Sequence, residues 1–581
     1  MKKPFYLSLL AVTAAAGIVS CSKPNKADKT FTEAADPIVL SDQQLAAWNQ
    51  AGDILNVAWG DPDIRYGRSV VPQAAVTDTM KLTAWKGEKE SAQLLLWTRD
   101  GAEGVTCEVS DFVSPSGKIP ASAAQARFLR YTLGDSTYCV QGALQLAADM
   151  IDSIACMDLD AKSVRPVWVT VDVPADAQPG IYDADVIVRS NNNGMSIVPM
   201  QLEVIDRTLP PASEWAYHLD LWQHPTAVAR AQGLELWSDE HFEAMKPLMQ
   251  MLADAGQKVI TATLNKDPWN HQCYDGYANM INWTLNEDGT WSYDYTAFDR
   301  WVQFMMDLGI DKMINCYSMV PWNCELEYFD QAGDSIVTVT AEPGTDIFVN
   351  LWKPFLGDFK KHLDEKGWLG ITNIAMDERD PESMDAAVRL LEECAPSMGF
   401  AIADNHQSYK KYNMMRDVCV SQAQTTDHED IIQRRANGFN TTFYVCCGPL
   451  FPNTFTYSAP YEAELLGWYG IALDYDGMLR WAYNSWPADP ESDSRYGEEW
   501  PSGDTYLVYP YARPSVRFER LIDGIENAEK IRILRNEGVD MTQLDSIIAD
   551  IRNANVNDNT LPWRETTRRA RQALDAASRS K

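Results

Sequence analysis

Between residues 46 and 210, apolar and polar positions alternate in short runs: KLTAW, SAQLLLW, VTCEVSDF, VRPVWVTVDV, IYDADVIV and MQLEVIDR. A period of two marks strands with one buried face, so this stretch is predicted to be an all-β sandwich. Pro179-Gly180, set just before the alternating IYDADVIV run, suggests an immunoglobulin-like hairpin, and Leu209-Pro210-Pro211 makes a stiff boundary behind it.

From residue 212 the period changes. Short apolar runs at 215–222, 258–264, 313–319, 371–377, 400–404, 418–422, 441–447 and 478–484 are separated, in most cases, by amphipathic segments such as HFEAMKPLMQMLADAG and PESMDAAVRLLEEC. Strands alternating with helices make parallel βαβ units, and eight of them predict a TIM-type (β/α)8 barrel over 212–487, with a doubly wound open sheet as the alternative. The fold class is therefore multidomain α/β. Two insertions, MINWTLNEDGTWSYDY and ELEYFDQAGDSIVTVTA, read as hairpins over the C-terminal face of the barrel. Residues 488–581 open with a Pro/Asp/Gly-rich loop and end in helices expected to pack on the barrel.

At the N-terminus, Lys2 and Lys3 precede an apolar run from Phe5 to Val19 that closes on Ile18-Val19-Ser20-Cys21. This resembles a bacterial lipoprotein signal over 1–21, which implies cleavage before Cys21, lipidation of its sulfur and membrane anchoring of an exported chain at a periplasmic or outer-membrane face. A plain secretory peptide is the alternative. Residues 22–45 are polar and read as a flexible tether. The 581 residues, 45% hydrophobic, are enough for two or three cored domains. Fifty basic against 82 acidic residues give a net charge of -32, which argues against nucleic acid as a partner. The cysteines after Cys21 show no metal-finger spacing and read as structural. The seven histidines form no HxH or HExxH, and Asp427-His428-Glu429-Asp430 reads as a helix start, so neither a metal nor a cofactor is expected.

The fourth barrel strand ends in Ala375-Met376-Asp377-Glu378-Arg379-Asp380-Pro381. Asp380 before Pro381 is explained as a helix N-cap. Asp377 and Glu378 are not, because two adjacent charges at a strand end repel unless something uses them. A conventional retaining glycosidase needs its two carboxyl groups roughly 5–5.5 Å apart across the anomeric carbon, and neighbours in sequence serve that poorly. The seventh strand ends in Tyr444-Val445-Cys446-Cys447 with no acid. Substrate-assisted hydrolysis suits the pair better: the substrate's 2-acetamido oxygen attacks C1, ionised Asp377 steadies the oxazolinium, and protonated Glu378 serves as acid and then base.

With that pair, the segments LDLWQHP (219–225), GMLRWAYNSW (477–486) and GDTYLVYP (503–510) resemble glycoside hydrolase family 123, and the likeness covers most of the mature chain. The resemblance implies a retaining exo-β-N-acetylgalactosaminidase that removes terminal β-GalNAc from glycans or glycolipids, with the stabilising role on Asp377 and the acid/base role on Glu378. The alternatives are a β-N-acetylglucosaminidase or hexosaminidase of the same mechanism, and a non-catalytic glycan-binding lipoprotein. Substrate contacts are expected at strand ends, from Trp222, His224, Tyr317, Trp322, Asn405, His406, Tyr444, Trp481 and Asn484, and from Asp504 in the following loop. Tyr444 is suggested as donor to the acetamido oxygen, Trp481 as the floor under the ring, and Asp504 as acceptor from sugar hydroxyls.

Overall fold

A computed structural model describes residues 32–73, 78–135, 143–412, 414–424, 426–497, 499–554 and 561–580. The expected signal peptide, Cys21, residues 22–31 of the tether, and Cys139 lie outside them.

The N-terminal region is all-β, in two packed sheets. One orders the strands Asn56–Gly60, Lys89–Thr98, Ser163–Asp172, Ala124–Asp135 and Leu144–Ile151, each antiparallel to its neighbour. The other orders Met80–Lys86, Gly194–Thr208, Gly180–Ser190, Ala102–Val109 and Met157–Leu159. Alternating residues from each, such as Leu94, Leu96, Val167 and Val169 against Leu82, Val186, Val188 and Leu202, meet in one core.

Met80–Lys86 runs parallel to Gly194–Thr208. One detail differs from the sequence expectation: Pro179-Gly180 does not turn a hairpin, since Ser163–Asp172 before it and Gly180–Ser190 after it belong to different sheets, and the hairpin of Gly180–Ser190 with Gly194–Thr208 turns at 191–193. Alternation identifies a strand and its buried face, but it carries no information on the partner. The tether expectation is also corrected for 32–45. Glu33 accepts from the guanidinium of Arg165 at 2.8 Å, and Ser41 caps a helix Asp42–Gln50 in a capping box with Gln44. Polar composition suggested a linker, but here the polar groups are caps and ion-pair partners.

The second region is a nearly closed barrel of eight parallel strands: β1 (His218–Leu221), β2 (Val259–Thr263), β3 (Met313–Tyr317), β4 (Thr372–Asp377), β5 (Gly399–Asp404), β6 (Met415–Ser421), β7 (Asn440–Tyr444) and β8 (Gly477–Arg480). They are hydrogen-bonded in the order β1-β8-β7-β6-β5-β4-β3-β2. Gly477 is required where β8 meets β1, since a Cβ there would stand 2.1 Å from the His218 carbonyl oxygen. Between β1 and β2, side-chain amides continue the ladder. The Leu221 N–H donates to Gln257 Oε1 at 2.9 Å, Gln257 Nε2 donates to the Val259 carbonyl at 2.7 Å, and the Thr261 N–H donates to Gln223 Oε1 at 2.9 Å. These glutamines satisfy buried backbone groups that a regular strand pair would otherwise satisfy.

Helices Pro225–Gln232, Asp239–Asp254, Thr296–Asp307, Asp346–Lys366, Pro381–Cys394, His428–Ala436, Pro460–Leu473 and Val516–Asn536 lie between or after the strands. The exception is β5, which among the described residues is followed only by a single 3₁₀ turn, Ser408–Lys410. The two insertions form the hairpins Asn282–Leu285/Trp291–Asp294 and Glu325–Asp330/Ser335–Thr340, joined in one four-stranded sheet.

The start of Val516–Asn536 fixes the barrel to the sandwich. Val516 packs with Leu129, Tyr131 and Trp168, while buried Arg517 pairs with Asp149 at 3.0 Å and donates to the carbonyls of Thr454, Gly503 and Tyr506. The loop carrying Asp504 is thereby tied to the first sheet.

Candidate active site

β4 delivers Asp377 to the C-terminal mouth of the barrel, and the next residue departs from strand geometry. Glu378 has φ +45°, in the left-handed region that costs a non-glycine residue about 1–2 kcal/mol, yet its N–H still donates to the Ala403 carbonyl of β5 at 2.9 Å. Neighbours on an extended strand point to opposite faces, so this one residue re-aims the second carboxylate. Both acids consequently reach one aromatic cluster. Trp269 Nε1 and Trp322 Nε1 donate to Asp377 Oδ2 at 3.0 and 3.1 Å, while the Tyr444 hydroxyl at the end of β7 donates to Glu378 Oε1. Trp269 and Tyr444 share their cluster with Trp222, Tyr277 and Tyr317, over the small side chains of Ala375, Ala401 and Ala403.

Burial pushes the Asp377 carboxyl up to about 7, the charge of Glu378 adds to the rise, and the Trp322 indole, Arg379 and the Trp269 indole oppose it. The sequence expectation of a simply ionised Asp377 is modified accordingly: near neutral pH this acid is itself titrating. Burial first, and then the charge of Glu378, keeps the Tyr444 phenol protonated as a donor. Arg379 donates through Nε to the Asp377 carbonyl at 3.1 Å and stacks 4.6 Å over the Trp322 ring. Asp380 accepts from the Glu382 and Ser383 N–H groups, which is the cap expected of it.

The remaining sequence candidates separate into two groups. Trp222 and Tyr317 are buried with ring centroids 4.7 Å apart, Trp322 is partly exposed, and Trp481 meets Trp500 edge-on at 5.3 Å. Asn405 and His406 follow β5, with His406 exposed and its N–H donating to Asp404 Oδ1. His224, Asn484 and Asp504, by contrast, are fully buried and bonded within the protein. His224 stacks on Tyr277 at 3.7 Å and shares a hydrogen bond with Ser485, and its backbone exchanges two hydrogen bonds with the Asn484 side chain. Asp504 pairs with Arg480 at 2.8 Å.

Trp269, Tyr277 and Arg379 escaped the sequence reading. Trp269 and Tyr277 stand in the loop after β2, where no periodicity marks them. Among the described residues, three other acids at or beyond barrel strand ends have partners: Asp404 accepts from the His406 and Ser408 N–H groups, Asp267 from those of Trp269 and His271, and Asp504 from Arg480.

Replacing Trp269 with Phe removes one donor from Asp377 Oδ2 while keeping a ring in the cluster. A donor to the carboxylate favours the ionised form, so its loss raises the pKa further. If the ionised form is the active one, activity is present above this pKa and lost below it. The acid limb of the kcat/KM profile is then expected to move to higher pH in the variant, and a limb that stays in place would show that the indole does not bear on the reaction.

An aromatic mouth with two adjacent acids, the second re-aimed to join the first, on a parallel barrel describes a glycoside hydrolase. Comparison with known proteins gives the particular kind. The chain belongs to glycoside hydrolase family 123: the family model described as "Glycoside hydrolase 123, catalytic domain" matches residues 222–534, and "Glycoside hydrolase 123 N-terminal domain" matches 59–190. Among solved structures, a family 123 glycoside hydrolase from Clostridium perfringens, described in terms of glycolipid glycan hydrolysis, is similar at 26% identity over 90% of this chain and 98% of that one, with a TM-score of 0.82. A family 39 glycoside hydrolase from Bacteroides cellulosilyticus WH2 aligns at 9% identity over 78% of this chain and 82% of that one, with a TM-score of 0.34, too low to carry an argument. No curated protein matches the chain significantly.

Proposed function

We propose that this glycoside hydrolase is a retaining exo-β-N-acetylgalactosaminidase, removing terminal β-GalNAc from glycans or glycolipid head groups by substrate-assisted catalysis. We read its barrel as TIM-type (β/α)8 with the fifth helix reduced to a turn, and its N-terminal region as immunoglobulin-like. The observation that carries the proposal is the division of hydrogen bonds at the pair. Asp377 Oδ2 is occupied by two indole N–H groups, which leaves Oδ1 to accept the acetamido N–H, while Glu378 is held separately by Tyr444. Asp404, Asp267 and Asp504 each accept from other groups of the protein, which supports the substrate's amide oxygen as the nucleophile.

In this mechanism the substrate N–H favours the ionised form of Asp377, as the indoles do, and the carboxylate then faces the positive charge of the oxazolinium. Glu378 protonates the leaving oxygen, then deprotonates the water that opens the ring, giving net retention. The glycolipid activity described for the Clostridium perfringens relative, together with the expected lipidation of Cys21, supports a site of action at a membrane surface.

The test is a panel of aryl β-glycosides of GalNAc, GlcNAc and galactose with a GalNAc-thiazoline inhibitor. Turnover of the GalNAc compound with retention and competitive inhibition by the thiazoline is expected. Preference for GlcNAc would transfer the assignment to that epimer. Brisk cleavage of the galactoside, or indifference to the thiazoline, would exclude participation by the N-acetyl group.

A further inference from the structure

Immediately beyond Tyr444, β7 runs into Val445-Cys446-Cys447-Gly448. In extended chain, consecutive side chains point to opposite faces. Here the backbone turns, and the two sulfurs lie 3.8 Å apart. The turn is held from both sides: the Val445 carbonyl accepts from Arg480 Nη1 at 3.0 Å, and the Cys446 carbonyl from Asn453 Nδ2 at 2.8 Å. Cys446 also packs against the aromatic cluster of the site, and both cysteines are partly accessible. Two thiols are thus in contact, reachable from solvent, and two or three residues from the hydroxyl that holds Glu378.

We propose that Cys446 and Cys447 form a reversible vicinal disulfide by exchange with a low-molecular-weight disulfide, and that closing the ring weakens the hold of Tyr444 on Glu378. The second clause rests on the proposed role of Glu378; the first does not. The contact with Cys447, and then burial, pushes the Cys446 thiol up, which disfavours Cys446 as the first nucleophile, so the exchange opens at Cys447. Its thiolate attacks one sulfur of R–S–S–R, forming a mixed disulfide and expelling R–S⁻. Cys446 then attacks the Cys447 sulfur, gives up its proton, and expels the second R–S⁻. Two protein thiols are oxidised to one disulfide, the reagent is reduced to two thiols, and the two protons released match the two thiolates expelled.

Closure must bring the sulfurs to about 2.05 Å, while neighbouring Cα atoms stand about 3.8 Å apart, below the usual disulfide range of about 4.4–6.8 Å. The ring is therefore strained and easily reduced, which makes it a switch rather than a staple. The strain is relieved through the turn that begins at Tyr444.

The full chain is treated with oxidised glutathione, acid-quenched, digested and weighed, with Cys447→Ser alongside. In the wild type, the peptide holding residues 446 and 447 is expected to lose two hydrogens and to regain them with dithiothreitol. In Cys447→Ser it is expected to carry at most a glutathione adduct. Turnover of whichever aryl glycoside the enzyme accepts is expected to fall at least about threefold on oxidation of the wild type, the scale of one weakened hydrogen bond, and to recover on reduction. In Cys447→Ser the ratio of oxidised to reduced rates should stay near one. Intact thiols or stable mixed disulfides in the wild-type peptide would overturn ring formation. A closed ring with unchanged turnover would overturn its coupling to the site. The mass readout stands even if the sugar proves to be other than GalNAc.

Discussion

Glu378→Gln is expected to lower kcat/KM for GalNAc glycosides with poor leaving groups by roughly two to four orders of magnitude, the usual contribution of a positioned general acid. The amide keeps the shape of the side chain and an oxygen to accept from Tyr444, so the loss isolates the proton. Dependence on the leaving group is the discriminating measurement. A sugar or alkyl aglycone must be protonated as it departs, whereas a nitrophenolate of low basicity leaves without help. The deficit in the first step should shrink steeply across that series. Added azide, which needs no general base to attack the oxazolinium, is expected to speed breakdown of the intermediate and give a β-glycosyl azide. A deficit equal for every leaving group would place Glu378 outside the proton transfer.

Much of the barrel was legible in the chain because its strands are buried on both faces. Apolar runs at 258–264, 313–319 and 371–377 coincide with β2, β3 and β4. What was not legible depends on contacts distant in sequence. The missing helix after β5 is replaced by a turn that Asp404 organises through its own carboxylate, a substitution with no periodic signature. The sandwich pairing, with Met80–Lys86 parallel to Gly194–Thr208, joins segments more than a hundred positions apart. At the site, Asp377 and Glu378 stood out because a strand end is an expensive place for two like charges. Trp269 did not, since an indole in a loop acquires meaning only through the carboxylate 108 positions away to which it donates. Asp504 reads in the sequence as a sugar acceptor in the loop after β8, and in the structure its Oδ1 accepts from Arg480, 24 residues upstream. Charged groups near a mouth are ambiguous until their partners are known.

Asp377→Asn should cost as much as the loss of the acid, about two to four orders of magnitude in kcat/KM, but with a different pattern. The amide oxygen can still accept from Trp269 and Trp322, which leaves the NH₂ facing the acetamido N–H. Two donors then oppose each other where an acceptor is needed, and the negative charge that balances the oxazolinium is gone. Since this charge is needed whatever the aglycone, the deficit should persist from poor to good leaving groups, in contrast to Glu378→Gln. The pH profile provides an independent check. In the proposed mechanism the wild type works with the ionised acid, so activity is expected above a pKa pushed up to about 7 and should fall away as pH drops through it. Asn does not titrate, and that limb should vanish. If the limb survives in the variant, another group sets it. If a mechanism-based fluorosugar instead leaves a covalent adduct on Asp377 of the wild type, the carboxylate is a nucleophile and the substrate's amide is not.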